Sequence, residues 1–162
     1  MTVHIDFEKA QSLVAECIAE RGEDFVYPKQ DGLSCMYVHG IKEIPVDEDA
    51  YEYTEDFSKA TPGCIVGAVM AKAGISLEDL GKDSRNESGS FDLINSLECD
   101  ELVTVSDQAS NYLANAQTSQ DRGVPWGVSA KLAAEGKSAY VHYDNDGKPL
   151  GKYDAHDNYS VA

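Results

Sequence analysis

At 162 residues and 17.6 kDa the chain has the length of one compact domain, and 42% apolar residues at a mean hydropathy of −0.40 suffice to close a core, which excludes wholesale disorder. Thirteen Lys and Arg stand against 29 Asp and Glu, giving a net charge of −16 and a pI near 4.4. Direct nucleic-acid binding, which needs clustered cations to release phosphate counterions, is excluded with it.

The four cysteines, Cys17, Cys35, Cys64 and Cys99, form no C-x-x-C pair and have no His at zinc-site spacing, so no metal, cofactor or disulfide framework is expected. No apolar run reaches the roughly 18 residues of a membrane span. The N-terminal segment lacks the basic and apolar regions of a signal peptide. The expected setting is therefore cytoplasmic, away from membranes.

In chain order, Asp6 caps a helix in which Ala10, Leu13, Val14, Cys17 and Ile18 form one apolar stripe, and Gly22 ends it. Asp24–Tyr27 and Cys35–His39 read as two strands of a hairpin turning at Asp31-Gly32. An acidic run follows, Glu43, Asp47, Glu48, Asp49, Glu52, Glu55 and Asp56, with no basic residue inside it, and it is expected to be a solvated connecting loop. Thr61-Pro62 begins a second helix whose buried face is Ile65, Val66, Val69, Met70 and Ala73, and Cys64 lies in its first turn. Ser76-Leu77-Glu78-Asp79 resembles a capping box, and the polar stretch 81–90 is expected to be a mobile loop. Phe91–Leu97 predicts a short helix. Ser106 caps a longer one carrying Ala109, Tyr112, Leu113 and Ala116 to Gly123, and Pro125 opens a partner helix through Trp126, Val128, Leu132 and Ala133, an αα-hairpin. A DNA-reading second helix would carry more cations than Lys131 and Lys137. Ala139–Tyr143 and Leu150–Tyr153 flank Asp144-Asn145-Asp146-Gly147 as a second hairpin. A calcium loop does not fit there, because Tyr153 falls where a bidentate Glu is required. The expected fold is α+β, with four or five short helices packed on one or two small antiparallel hairpins. It forms a single domain over 1–153, with a frayed tail over 154–162.

Three constellations could carry function. In the first, the acidic run with Tyr51, Tyr53 and Phe57 would dock on a basic protein: Asp47, Glu48, Asp49, Glu52, Glu55 and Asp56 steer the encounter while the aromatics slow release. Imitation of a phosphate backbone is a special case of that reading. In the second, Cys64 at a helix N-terminus would feel the partial positive charge of exposed N–H groups, which lowers a thiol pKa, with His39 or His142 as base. Gly63-Cys64-Ile65-Val66-Gly67, continuing to Ala73-Gly74-Ile75-Ser76-Leu77, resembles the nucleophile helix of NlpC/P60 cysteine peptidases. That resemblance implies a hydrolase with Cys64 as nucleophile and His142 as the later base on a strand, although the family's Asp-Cys-Ser-Gly reads Gly63-Cys64-Ile65-Val66 here. In the third, Gln117, Asp121 and Trp126 would frame a pocket for a nucleotide-like ligand.

Val38-His39, Pro62–Gly67 and Gln120-Asp121-Arg122-Gly123-Val124-Pro125-Trp126 are similar to a group of small uncharacterised proteins of actinobacteria and their phages. That resemblance implies an accessory role and no mechanism. The first constellation is the favoured expectation: a non-enzymatic acidic interaction protein.

Overall fold

The computed structural model describes residues 1–28, 35–49, 51–139, 141–143, 149–153 and 159–161. Strand β1 (Val3–Ile5) leads into Asp6, whose carboxylate accepts the Lys9 N–H at 2.8 Å and starts α1 (Phe7–Arg21). The predicted stripe is buried, and Gly22 ends the helix at φ +104°, a left-handed conformation that costs glycine little. Strands β2 (Val38–His39), β3 (Lys42–Pro45), β4 (Tyr53–Asp56) and β5 (Thr61–Pro62) follow. Next come α2 (Ile65–Lys72), α3 (Leu77–Gly81), a 3-10 helix over Asp83–Glu87 and α4 (Ser90–Cys99). Strand β6 (Val103–Val105) then runs into Ser106, whose hydroxyl accepts the Ala109 N–H and starts α5 (Asp107–Asp121). Helix α6 (Trp126–Ala134) and strands β7 (Val141–Tyr143), β8 (Pro149–Tyr153) and β9 (Tyr159–Val161) complete the order.

The fold is α+β, with six α-helices among the described residues and small, mostly antiparallel sheets. Helix α2 is buried from Ile65 to Met70, as befits a helix apolar on nearly every side, and it packs on α1 and α5. Gly67 permits this. A Cβ there would fall on the Tyr37 carbonyl and 2.7 Å from its Cα, so the helix lies directly against the backbone leading into β2. Trp126, fully buried, meets Phe25 edge to face at 4.9 Å, and the Arg21 guanidinium sits 5.1 Å above the indole.

Five expectations require correction. Thr61–Pro62, expected to open the second helix with Cys64 in its first turn, is instead strand β5, and α2 starts at Ile65 with Cys64 as its N-cap. Asp24–Tyr27 is not a strand, and β2 pairs instead with β5, His39 opposite Thr61, because the chain after the acidic run returns beside it. That acidic run is itself a hairpin: β3 and β4 pair Lys42 with Asp56, Glu43 with Glu55, Ile44 with Thr54 and Pro45 with Tyr53. The 81–90 stretch is ordered around buried Arg85, which donates to Ser96 Oγ at 2.7 Å, to the Asp79 carbonyl at 2.9 Å and to the Asp100 carboxylate. Asn86 exchanges two hydrogen bonds with the Val38 backbone. In the expected frayed tail, Tyr159–Val161 forms β9 on β8, while 154–158 and 162 lie outside the described residues. The second hairpin forms as β7 on β8, and its turn, 144–148, also lies outside them. One pairing had no counterpart in the sequence reading: β1 and β6 are parallel, Val3 opposite Val103 to Ile5 opposite Val105, which sets the capped starts of α1 and α5 side by side. Among the described residues no helix is long and apolar enough to cross a membrane.

Candidate functional site

The β3–β4 hairpin carries its residues on two faces, since directly opposed residues share a side and successive pairs alternate. Glu43, Glu55, Pro45 and Tyr53 share one face; Lys42, Asp56, Ile44 and Thr54 share the other. Both faces are open to solvent. Ile44 is 40% exposed, Val46 55%, Tyr53 59% and Tyr51 fully, and these four make up most of the large apolar side chains exposed among the described residues. The strand pairing extends one step further where the Val46 N–H donates to the Glu52 carbonyl at 3.0 Å, and Asp47 Oδ1 accepts the Asp49 N–H at 3.1 Å in the turn.

The carboxylates therefore do not form one continuous ridge. They flank an arm on both sides and cap its tip. Among the described residues the ion pairs are Lys72–Glu20, Arg85–Asp100 and Lys137–Glu135, so no pair draws on the acidic run. Asp56 has its pKa lowered, chiefly because the Ser58 backbone N–H donates to it, and to a smaller degree by the Ser58 hydroxyl and by Lys42. Phe57 departs from expectation: it packs against the core and would be 2.9 Å from a Cβ on Gly81, so it anchors the root of the arm and offers little surface for docking.

Cys64 is the N-cap of α2, just outside the helix, and its side chain is completely buried. Its N–H donates to the Met36 carbonyl at 2.9 Å. The leading helical N–H, that of Ile65, donates to Gln120 Oε1 at 2.7 Å. His39 borders Gly63, where a Cβ would sit 2.8 Å from His39 Nε2, yet that nitrogen is hydrogen-bonded to the Tyr27 hydroxyl and the two rings meet edge to face at 5.5 Å. Burial, and then the nearby Arg21, hold the His39 pKa below its ordinary value. His142 lies on β7 opposite Gly151, and its side chain lies outside the described residues. An acyl-transfer nucleophile needs an accessible sulfur, a base in contact and N–H donors open to an oxyanion. Here the sulfur is enclosed and Gln120 occupies the donor.

Gln120 organises this part of the core. Its Oε1 also accepts the Trp126 indole N–H at 3.0 Å, and its Nε2 donates to Asp121 Oδ1 at 3.1 Å and to Cys35 Sγ at 3.3 Å. Gln117 Nε2 donates to the same sulfur at 2.7 Å. Desolvation drives the Cys35 thiol far above its ordinary pKa, the Cys64 side-chain contact adding to it, so Cys35 is a neutral, buried thiol. Burial likewise raises the Cys17 thiol to about 11.

Of the expected ligand pocket, Gln117 and Asp121 do line a common cavity. Trp126 does not: it is enclosed, and its N–H is spent on Gln120. Cys35 and Arg85 were not singled out from sequence, because each acquires its partners across distant segments and neither sits in a local pattern that marks it; Gln120 stands in the Gln120–Trp126 segment of the resemblance, but its bonds to Ile65 and Cys35 reach distant segments. Comparison with protein-family models, with curated proteins and with solved structures finds no match to this chain.

Proposed function

We propose that the chain is a non-enzymatic acidic interaction protein whose β3–β4 arm docks on a basic protein partner. The observation that carries this reading is the arm's composition against its own stability. Glu43 faces Glu55 directly, a like-charge pair that weakens a hairpin, and apolar Ile44, Val46 and Tyr53 stay exposed beside them on two strands that shield neither face. Such local conflict has a reason when another molecule resolves it: partner cations between Glu43 and Glu55 remove the repulsion, and the apolar side chains gain cover. Long-range attraction speeds the encounter and burial of Tyr53 and Tyr51 slows release, so salt acts mainly on the association rate.

The test is a pull-down from lysate of the encoding organism at low and high salt, using the full chain and its Glu43→Gln/Glu52→Gln/Glu55→Gln variant, followed by kinetics on any captured protein. The expected result is a basic protein lost on the variant, with the association rate falling at least about tenfold at low salt while dissociation changes little. Equal capture by the variant overturns the assignment to the arm. Competition by duplex DNA for the same partner would identify the docking as phosphate-backbone imitation.

A further inference from the structure

The β3–β4 arm has two outer edges, and its backbone makes them unequal. In an antiparallel pair, residues that exchange N–H···O bonds with the facing strand alternate with residues whose N–H and C=O point outward. The Val46 N–H donates to the Glu52 carbonyl at 3.0 Å, so along the register Ile44–Thr54 and Lys42–Asp56 are the bonded pairs. Glu43–Glu55 and Pro45–Tyr53 are then the non-bonded pairs, with their backbone polar groups on the outer edges. On β3 that edge is interrupted, because Pro45 has no N–H to give. On β4 it is complete. Tyr53 and Glu55, both exposed, each present an N–H and a C=O, and among the described residues no strand or side chain takes them up.

An open edge of this kind is a template for one further strand. The side chains select which strand. In an antiparallel addition, the residues directly opposite Tyr53 and Glu55 turn their own N–H and C=O groups toward β4, and their side chains fall on the face of Glu43, Glu55 and Tyr53. Cations suit both positions, one against the Glu55 carboxylate and one against the Tyr53 ring. The residue between them lies opposite Thr54, on the side where Ile44 is exposed, and suits a β-branched apolar side chain. A second copy of this chain does not fit, since its β4 would set another acidic run beside this one. Given docking through the arm, as proposed above, we infer that the outer edge of β4 takes up an extended segment of the partner, alternating cationic and apolar residues, as an antiparallel third strand.

The test titrates a fluorescein-labelled octapeptide of alternating lysine and valine with the full chain, read by fluorescence anisotropy at physiological salt. The expected result is saturable one-to-one binding. In the bound register the lysine N–H groups point at β4 and the valine N–H groups point away. Methylating every lysine backbone nitrogen should therefore weaken binding at least about tenfold, whereas methylating every valine backbone nitrogen should change it by less than about threefold, with charge the same throughout. Tyr53→Pro removes one outward N–H and leaves the β3–β4 bonds intact, so it should weaken binding at least about threefold beyond Tyr53→Ala. Equal binding of the two methylated peptides overturns strand addition and leaves docking through the arm's side chains standing. Absence of saturable binding overturns it too, while capture of a basic protein that the glutamine variant loses would still uphold the arm. Self-association of the full chain that Tyr53→Pro abolishes would give the edge to a second copy and likewise overturn the proposal.

Discussion

Gln120→Met tests the hydrogen-bond hub while keeping side-chain volume and flexibility nearly constant. The substitution removes the acceptor for two buried donors, the Ile65 N–H at 2.7 Å and the Trp126 indole N–H at 3.0 Å, in a site with no water access. Each orphaned donor costs about 1–3 kcal/mol, so the pair costs about 2–6 kcal/mol out of a total stability of about 5–15 kcal/mol. For a domain of this size that is a fall in Tm of roughly 4–24 °C. Urea unfolding followed by far-UV circular dichroism and by fluorescence of Trp126, the single tryptophan, measures it. A companion change, Gln120→Glu, retains both acceptor bonds and adds a carboxylate beside Asp121, so its deficit should shrink as the pH is lowered and one of the two protonates. A loss below about 1 kcal/mol for Gln120→Met, with an unchanged denaturant slope, would refute the hub.

Three further outcomes are expected. Gly67→Ala should destabilise by about 1–3 kcal/mol by chemical denaturation although helix propensity alone favours alanine, because the added methyl lands on the Tyr37 backbone; a gain in stability would show that α2 can move away. Arg85 holds the Asp100 carboxyl below its ordinary value of 3.8, so that group stabilises the fold above 3.8 and the contribution is lost as pH falls through the lower folded value; Asp100→Asn should flatten this acid limb of the stability curve, and an unchanged limb would remove Asp100 as its source. The pKa of His39 is lowered from 6.5, so the unfolded chain takes up its proton first and stability falls as pH drops below 6.5; His39→Gln should blunt that fall between neutral pH and the folded value, as read by Tm against pH.

Local signals carried the helices. The α1 stripe, the Asp6 and Ser106 caps, the Ser76 cap on the Asp79 N–H at 3.0 Å and the Gly22 stop each depend on residues within about four positions of one another, and each appears as expected. The strands were read less well because pairing partners lie far apart. A two-residue strand at Val38–His39 has no periodicity of its own and becomes a strand only because Thr61–Pro62 returns beside it. The parallel β1–β6 pair joins segments about a hundred residues apart. The 81–90 stretch reads as a loop because polar side chains ordinarily face water; Arg85 and Asn86 instead face inward and find acceptors and donors there.

For the candidate sites the division is similar. The acidic run, its lack of internal cations and the tyrosines among its carboxylates are compositional, so they were visible in the chain itself. That the run folds into an arm, that Glu43 opposes Glu55, and that Phe57 turns inward follow from register, which a one-residue slip would invert. Whether Cys64 meets solvent depended on packing between segments separated by tens of residues. Charge and short-range helix signals are properties of neighbouring residues and survive in any fold, whereas burial, register and hydrogen-bond partnership exist only once distant parts of the chain have met.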